Sequence, residues 1–418
     1  MNINAMPMVS RPTEPDAKHP FNQLRLAQLV ACLSLCLLIG LGVFTLFRGS
    51  QANYLLFGAD LYPRLIGTRA FWQGQSPYAP EIQREAEQLI YGRPRRTGEV
   101  TYLFQYPAQL VFVLTPLLVV PLEWVGVLWC AILTSILLTL MIVWSLLPTL
   151  RPAPFVWGIV LLTGLFYLPA LSSILSGQYP LLILAFGFGA IALMLNQRDG
   201  LAGCLLAFAT VKPSIGLFLP IIICLWALRW KRYRIVIGFG VTLALMLLIT
   251  FLRIGWWIPD FLNQSQVYEQ INSSIDLAWS AREILTVPGM LWLVSSFALW
   301  GIGIVALWSE SNFPWLALFG ALSLNLIVMP HSLEYDLTMF LFVLLWLGWH
   351  WREQWWGIWA WIILMWIPWL LWLGLRSAEV TAPDAWKALW QIYPTLLIAI
   401  LLLWWAKEKF RKDVTFVA

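Results

Sequence analysis

Six side chains of types that move protons or hold phosphate stand beside or just inside apolar stretches of this sequence: Asp60, Gln178, Lys212, His331, Tyr335 and Asp336. A carboxylate such as Asp60 can take the proton of a hydroxyl nucleophile. Lys212 can hold a phosphate as a compact point charge. His331 can donate to a phosphate or help carry a proton. Within Pro330-His-Ser-Leu-Glu-Tyr-Asp336, His331 and Tyr335 are four apart, as are Ser332 and Asp336. On an α-helix each pair shares a face. Each residue also has an ordinary reading. Asp60 suits a plain loop carboxylate, and Lys212 suits a lysine snorkelling to headgroups. His331 suits an interface marker. Asp336 lies one turn into an apolar helix, where an ionisable group is costly and is usually functional or paired; a neighbouring Arg or Lys would satisfy it.

Several chemistries are excluded. There is no Walker-type phosphate loop, no Gly-x-Gly-x-x-Gly and no Asp-x-Asp, so metal–nucleotide-sugar binding of the soluble kind is not expected. Cys32, Cys36, Cys130, Cys204 and Cys224 all fall in apolar stretches, and the chain has only three histidines. Neither a zinc set nor a disulfide framework is expected, and no cofactor or metal.

The elements that must position these groups are membrane helices. Of 418 residues, 60% are hydrophobic and 11% charged, with a mean hydropathy of +0.76. Soluble domains carry about 25% charged residues. Stretches such as 26–47, 122–147 and 385–406 reach the roughly 20 residues that cross a bilayer. Only helices close their own backbone hydrogen bonds there, and no alternating strand pattern occurs. The fold class is therefore all-α, a polytopic integral membrane protein with about twelve transmembrane helices. They are expected at 26–47, 122–147, 155–175, 179–196, 198–211, 213–229, 233–254, 284–309, 313–330, 333–350, 355–375 and 385–406.

Between the first two spans lies the long polar loop 48–106. Within it Ile82, Ala86, Leu89 and Ile90 fall on one helical face, which suits a helix lying on the membrane. The apolar piece 107–120 is too short to cross and holds Pro116, so a re-entrant or juxtamembrane helix is expected. Arg229, Lys231, Arg232, Arg234 and the tail Lys407, Lys409, Arg411, Lys412, joined by Arg151, Arg198 and Arg352, mark the cytoplasmic side. The net charge of +5 is thus the mark of a membrane topology, and no nucleic acid partner is expected. Both termini are then cytoplasmic, and Met1–Pro20 does not read as a signal peptide. The expected organisation is a polar tail (1–25), one transmembrane domain (26–406) whose outer loop and juxtamembrane helices cover 48–121, and a basic tail (407–418). This span count puts Asp60, Gln178, Lys212 and His331 on one side, the outer one.

Four blocks carry a family resemblance. The first is Asp60-Leu-Tyr62 with Ala70-Phe-Trp-Gln-Gly-Gln-Ser-Pro-Tyr78. The second is Gln105-Tyr106-Pro with Thr115-Pro-Leu-Leu-Val-Val-Pro121. The third is Ser176-Gly-Gln178, then Ala209-Thr-Val-Lys-Pro213, and the fourth is Pro330–Asp336. In this order the sequence resembles glycosyltransferase family 87, polyprenyl-phosphate-mannose-dependent enzymes of the GT-C superfold, over about residues 26–350. Two positions depart from the pattern, Ala108 where a second proline is usual and Tyr179 where Asn or Val is frequent. The resemblance implies a GT-C-like fold with its site on the outer leaflet side. It implies Asp60 as catalytic base, Lys212 at the donor phosphate and His331 in a donor-phosphate or catalytic role. Tyr62, Tyr78, Gln105, Tyr106, Gln178, Tyr335 and Asp336 are expected to line the substrate pocket. The implied reaction is inverting transfer of a hexose, mannose, from a polyprenyl phosphate to a hydroxyl of a lipid or glycan acceptor in the plasma membrane. The implied partners are that donor, that acceptor and membrane lipids. Two alternatives stay open: another lipid-linked sugar such as arabinofuranose, and a transporter or flippase, which paired repeats and midplane binding would mark.

Overall fold

The computed structural model describes residues 57–96, 99, 101–145, 164–272, 334–351 and 354–378. Among the described residues every regular element is helical. Helix α1 (Leu61–Trp72) begins directly after Asp60, and Pro63 falls in its first turn, where no intrahelical N–H is needed. Helix α2 (Pro80–Tyr91) has proline at its first position and ends at Gly92, whose φ of 67° is left-handed; both are standard helix boundaries. This is the amphipathic segment expected at 81–91. Its Ile82 and Ala86 bury against Ile66 and Ala70 of α1, so the apolar face that suited a membrane surface is partly covered by protein. Beyond it Arg93 donates twice to Glu99, at 2.9 and 2.5 Å, and this pairing holds the exposed carboxylate down at about 2.

Leu110–Leu114 (α3) passes at once into a 3-10 turn, Thr115–Val119. The pair rises only about 18 Å, short of the roughly 30 Å of hydrocarbon. Helix α4 (Leu122–Ser145) follows. Next come α5 (Leu168–Ser176) and α6 (Pro180–Leu195), set at 108° to each other. Gly177, at φ 78°, makes that corner, and Pro180 opens α6. The chain then forms α7 (Asp199–Ala209), a short turn α8 (Pro213–Gly216), α9 (Phe218–Arg229), α10 (Tyr233–Ile254) and α11 (Ile258–Asn272). After residues outside the described set come a 3-10 helix Glu334–Phe340, α12 (Leu341–Trp351) and α13 (Trp355–Ala378).

Among the described residues two helical segments are long and apolar enough to cross a membrane, Leu122–Ile142 and Tyr233–Ile254, or three if the bent α5–α6 pair is one span. The spans expected at 26–47, 284–309, 313–330 and 385–406 lie outside the described residues. The piece expected at 198–211 is a single short helix, whereas those expected at 213–229 and 333–350 are broken, the first at Leu217 between α8 and α9 and the second by a 3-10 helix ahead of α12.

Helix α10 is the long ruler of this half. Gly203 of α7 has no room for a Cβ against the backbone of Ile235, and Gly238 none against Gly200. Such small-residue contact lets membrane helices approach closely. At the start of α10, Arg232 donates to Asp199 at 3.0 Å and to the Met194 carbonyl at 2.7 Å. At its end, Arg253 donates to the carbonyls of Phe71 and Trp72, capping the negative end of α1. These two ends are about 33 Å apart along 22 residues. Ile237, Val241, Leu245, Leu248 and Leu252 are exposed along one face, an apolar stripe suited to hydrocarbon.

Candidate active site

Three backbones meet without side chains between them. A Cβ on Gly177 would stand 2.8 Å from the Gly58 Cα, and one on Gly126 would collide with the Phe57 carbonyl and lie 2.7 Å from the Tyr62 hydroxyl. Backbone hydrogen bonds lock this seam: Gly58 N–H donates to the Leu175 carbonyl at 2.9 Å and Asp60 N–H to the Ser176 carbonyl at 3.2 Å. Trp129 of α4 donates its indole N–H to the Gly177 carbonyl at 3.0 Å. The seam brings Asp60, at the head of α1, against Gln178, at the α5–α6 corner. Gly177→Ala adds a methyl at a left-handed φ and against backbone, a cost of roughly 1–3 kcal/mol. A lower melting temperature in detergent, with weakened activity as Asp60 and Gln178 separate, is the expected result.

From this corner a chain of polar contacts runs inward. Gln178 donates Nε2–H to Asp60 Oδ2 at 2.5 Å. Its Oε1 accepts from the Tyr106 hydroxyl at 3.1 Å and from Lys212 Nζ at 3.5 Å. Lys212 is paired with Asp336 at 2.6 Å and lies over the Tyr335 ring, 4.7 Å from its centroid. Asp336 is 0% exposed, Gln178 1% and Lys212 5%, whereas the Asp60 side chain keeps 28% exposure. The network is therefore a buried base with one carboxylate reaching outward. A charge pair so buried survives only with good geometry and further polar partners, which Gln178 and Tyr335 supply to Lys212.

The placements differ in several respects from the expected pocket. Asp336 and Lys212 face each other inside the protein, so Asp336 takes the paired reading. Helix α7 rises only about 16 Å, short of the roughly 30 Å of a full crossing, and Lys212 follows its end. Residues 334–340 wind as a 3-10 helix, so Tyr335 and Asp336 do not open an α-helix, and Ser332, the expected mate of Asp336, lies outside the described residues. His331 lies outside the described residues. Tyr62 is fully buried in the seam against α4. Tyr78 donates to the Tyr106 carbonyl at 2.7 Å, stacks on Trp257, and so braces the segment carrying Tyr106. Gln105 has a left-handed φ of 37°. Its N–H reaches Gln264 at 3.3 Å, and its buried side-chain oxygen has no hydrogen-bond partner among the described residues.

One neighbour escaped the reading of the sequence. Arg64 is buried, donates to the Asp60 carbonyl, stands 3.8 Å from Asp60 Oδ1 and covers the Tyr106 ring at 5.1 Å. The signal was present, since Asp60 and Arg64 are four apart at a helix start. Burial pushes the Tyr102 hydroxyl up to about 12, and the nearby Asp60 charge adds to this. Formally, two carboxylates and two cations balance here. Among the described residues no three His, Cys, Asp or Glu side chains converge as metal ligands.

The sequence model of glycosyltransferase family 87 matches residues 104–333, over half of the 418 residues. The chain belongs to that family. It is a membrane glycosyltransferase. No curated protein and no solved structure matches it. The family-87 match takes in Gln105, Tyr106, Gln178, Lys212 and His331, while Tyr335 and Asp336 lie just past its end and Asp60 lies well before its start. The motif blocks that resembled the family over 26–350 therefore extend past the matched range at both ends. In family-87 terms the buried chain of contacts joins residues of the matched region to a carboxylate contributed from before it.

Proposed function

We propose that this enzyme transfers a hexose, mannose, from a polyprenyl phosphate to a hydroxyl of a lipid or glycan acceptor, with inversion, on the non-cytoplasmic face. The observation that carries the reading is Asp60: a half-buried carboxylate at a helix head, fixed by Gln178 and Arg64. In the proposed step the acceptor hydroxyl gives its proton to Asp60. Its oxygen bonds to the anomeric carbon as the bond from that carbon to the phosphate oxygen breaks, and the electron pair leaves on the polyprenyl phosphate. One carboxylate suffices for a single displacement, unlike the close pair of a retaining hydrolase. The departing phosphate gains negative charge, so a fixed cation stabilises the transition state more than the ground state. Lys212 is proposed for that role, sharing its charge between Asp336 and the phosphate, and His331 is proposed for a donor-phosphate or catalytic role. Gln105, whose side-chain oxygen has no partner among the described residues, is proposed to accept from a sugar or acceptor hydroxyl.

The outward orientation is supported by Arg229, Lys231, Arg232 and Arg234. They gather at the start of α10, away from the end where α1 docks, in line with a cytoplasmic basic margin. Both termini are proposed to be cytoplasmic, in a plasma membrane, with residues 26–406 as one transmembrane domain. The test uses purified protein in vesicles with polyprenyl-phosphate mannose, glucose and arabinofuranose, following label into lipid and glycan acceptors. Label from the mannose donor is expected in the acceptor. Transfer from arabinofuranose alone would overturn the sugar. Donor crossing the bilayer without transfer would overturn the reaction.

A further inference from the structure

Gln178 has the sequence position of a pocket residue, yet its amide is spent on protein. Its oxygen faces Lys212 Nζ and the Tyr106 hydroxyl, and its nitrogen faces Asp60 Oδ2. Lys212 can only donate. The amide oxygen must therefore face it, and the NH2 group is left for Asp60. The corner that holds Gln178 is rigid for independent reasons: Gly177 is left-handed, Pro180 opens α6, and the Gln178 N–H donates to the Ser173 carbonyl at 2.8 Å.

We propose that Gln178 is a positioning residue, which acts through Asp60 by fixing one carboxylate oxygen and so aiming the other at the acceptor hydroxyl. The inference rests on Asp60 as the base. Glutamate in its place has the same length but sets a second carboxylate against Asp60, and two such groups hold one proton between them. Among the described residues the other groups facing Asp60 are Arg64 from α1, Tyr102 and Tyr106 from the segment before α3, Tyr179 from the α5–α6 corner, and the Lys212–Asp336 pair. None of these is removed by a change at Gln178.

The test compares wild type, Gln178→Glu and Gln178→Met by the pH profile of kcat. It adds carboxylate infrared titration, with Asp60→Asn subtracted to isolate the Asp60 band. The acid limb is expected to move up by about one pH unit or more in Gln178→Glu, and by less in Gln178→Met, which only loses the donor. The rate should climb again above the new limb, with KM for the donor nearly unchanged. An acid limb that stays in place while kcat falls equally at every pH would make Gln178 merely structural and overturn the proposal. Should the glutamate variant not fold, Gln178→Met decides by the same limb. Should wild type transfer no sugar at all, the functional reading fails, but the infrared titration still decides: a shifted Asp60 band supports the positioning role and an unshifted one ends it.

Discussion

Lys212→Met is expected to destabilise the folded protein by about 3–5 kcal/mol, because it strands the Asp336 carboxylate in a fully buried site. Lys212→Arg keeps the charge but replaces a compact ammonium over the Tyr335 ring with a planar fork of different geometry, so partial loss is expected. The informative variant is the double change Lys212→Met with Asp336→Leu. Replacing both members of a buried pair by apolar groups of similar volume is often neutral or stabilising, so its melting temperature is expected to return close to that of wild type. Its transferase activity is not expected to return, because no cation is left to meet the leaving phosphate. A double variant that is both stable and active would assign Lys212 and Asp336 to structure alone. The pair of readouts, thermal melting and turnover, separates packing from chemistry.

Much of this site was legible as a set of residues, and little of it as a set of contacts. Counting spans put Asp60, Gln178 and Lys212 on one side, and they meet although Asp60 and Gln178 are 118 positions apart. The means by which they meet could not be read, because it depends on three glycine backbones touching, and a lone glycine in an apolar run does not announce its neighbour. The corner between α5 and α6 was signalled by Gly177 and Pro180, but its 108° angle was not. Apolar composition also hid the break inside the span expected at 213–229, because the residues on both sides of Leu217 are apolar, and the 3-10 start of the span expected at 333–350 was not read from its two carboxylates. Tyr62 and Tyr78 were expected in the pocket because they stand in the motif blocks that resemble the family. In the fold they brace the seam and the Tyr106 segment, since a large ring with one polar atom serves packing equally well. Arg64 was overlooked because attention to carboxylates as bases left out the cation one turn away.

The central claim is that Asp60 is the base that activates the acceptor. A hydroxyl is a poor nucleophile until its proton has an acceptor, and a positioned base contributes about 10²–10⁴-fold. Asp60→Asn keeps the shape of the side chain, and its amide can still meet Gln178 and the Arg64 side of α1 without adding volume to the glycine seam. Folding and membrane insertion are therefore expected to persist, as is binding of the polyprenyl-phosphate sugar through Lys212. The decisive measurement is single-turnover transfer with the donor that wild type uses, at saturating acceptor, in wild type and Asp60→Asn. A variant that binds the donor normally but transfers it at least about 100-fold more slowly is the predicted result. Turnover within about threefold of wild type, far less than a base contributes, would contradict the account and remove Asp60 from the chemistry.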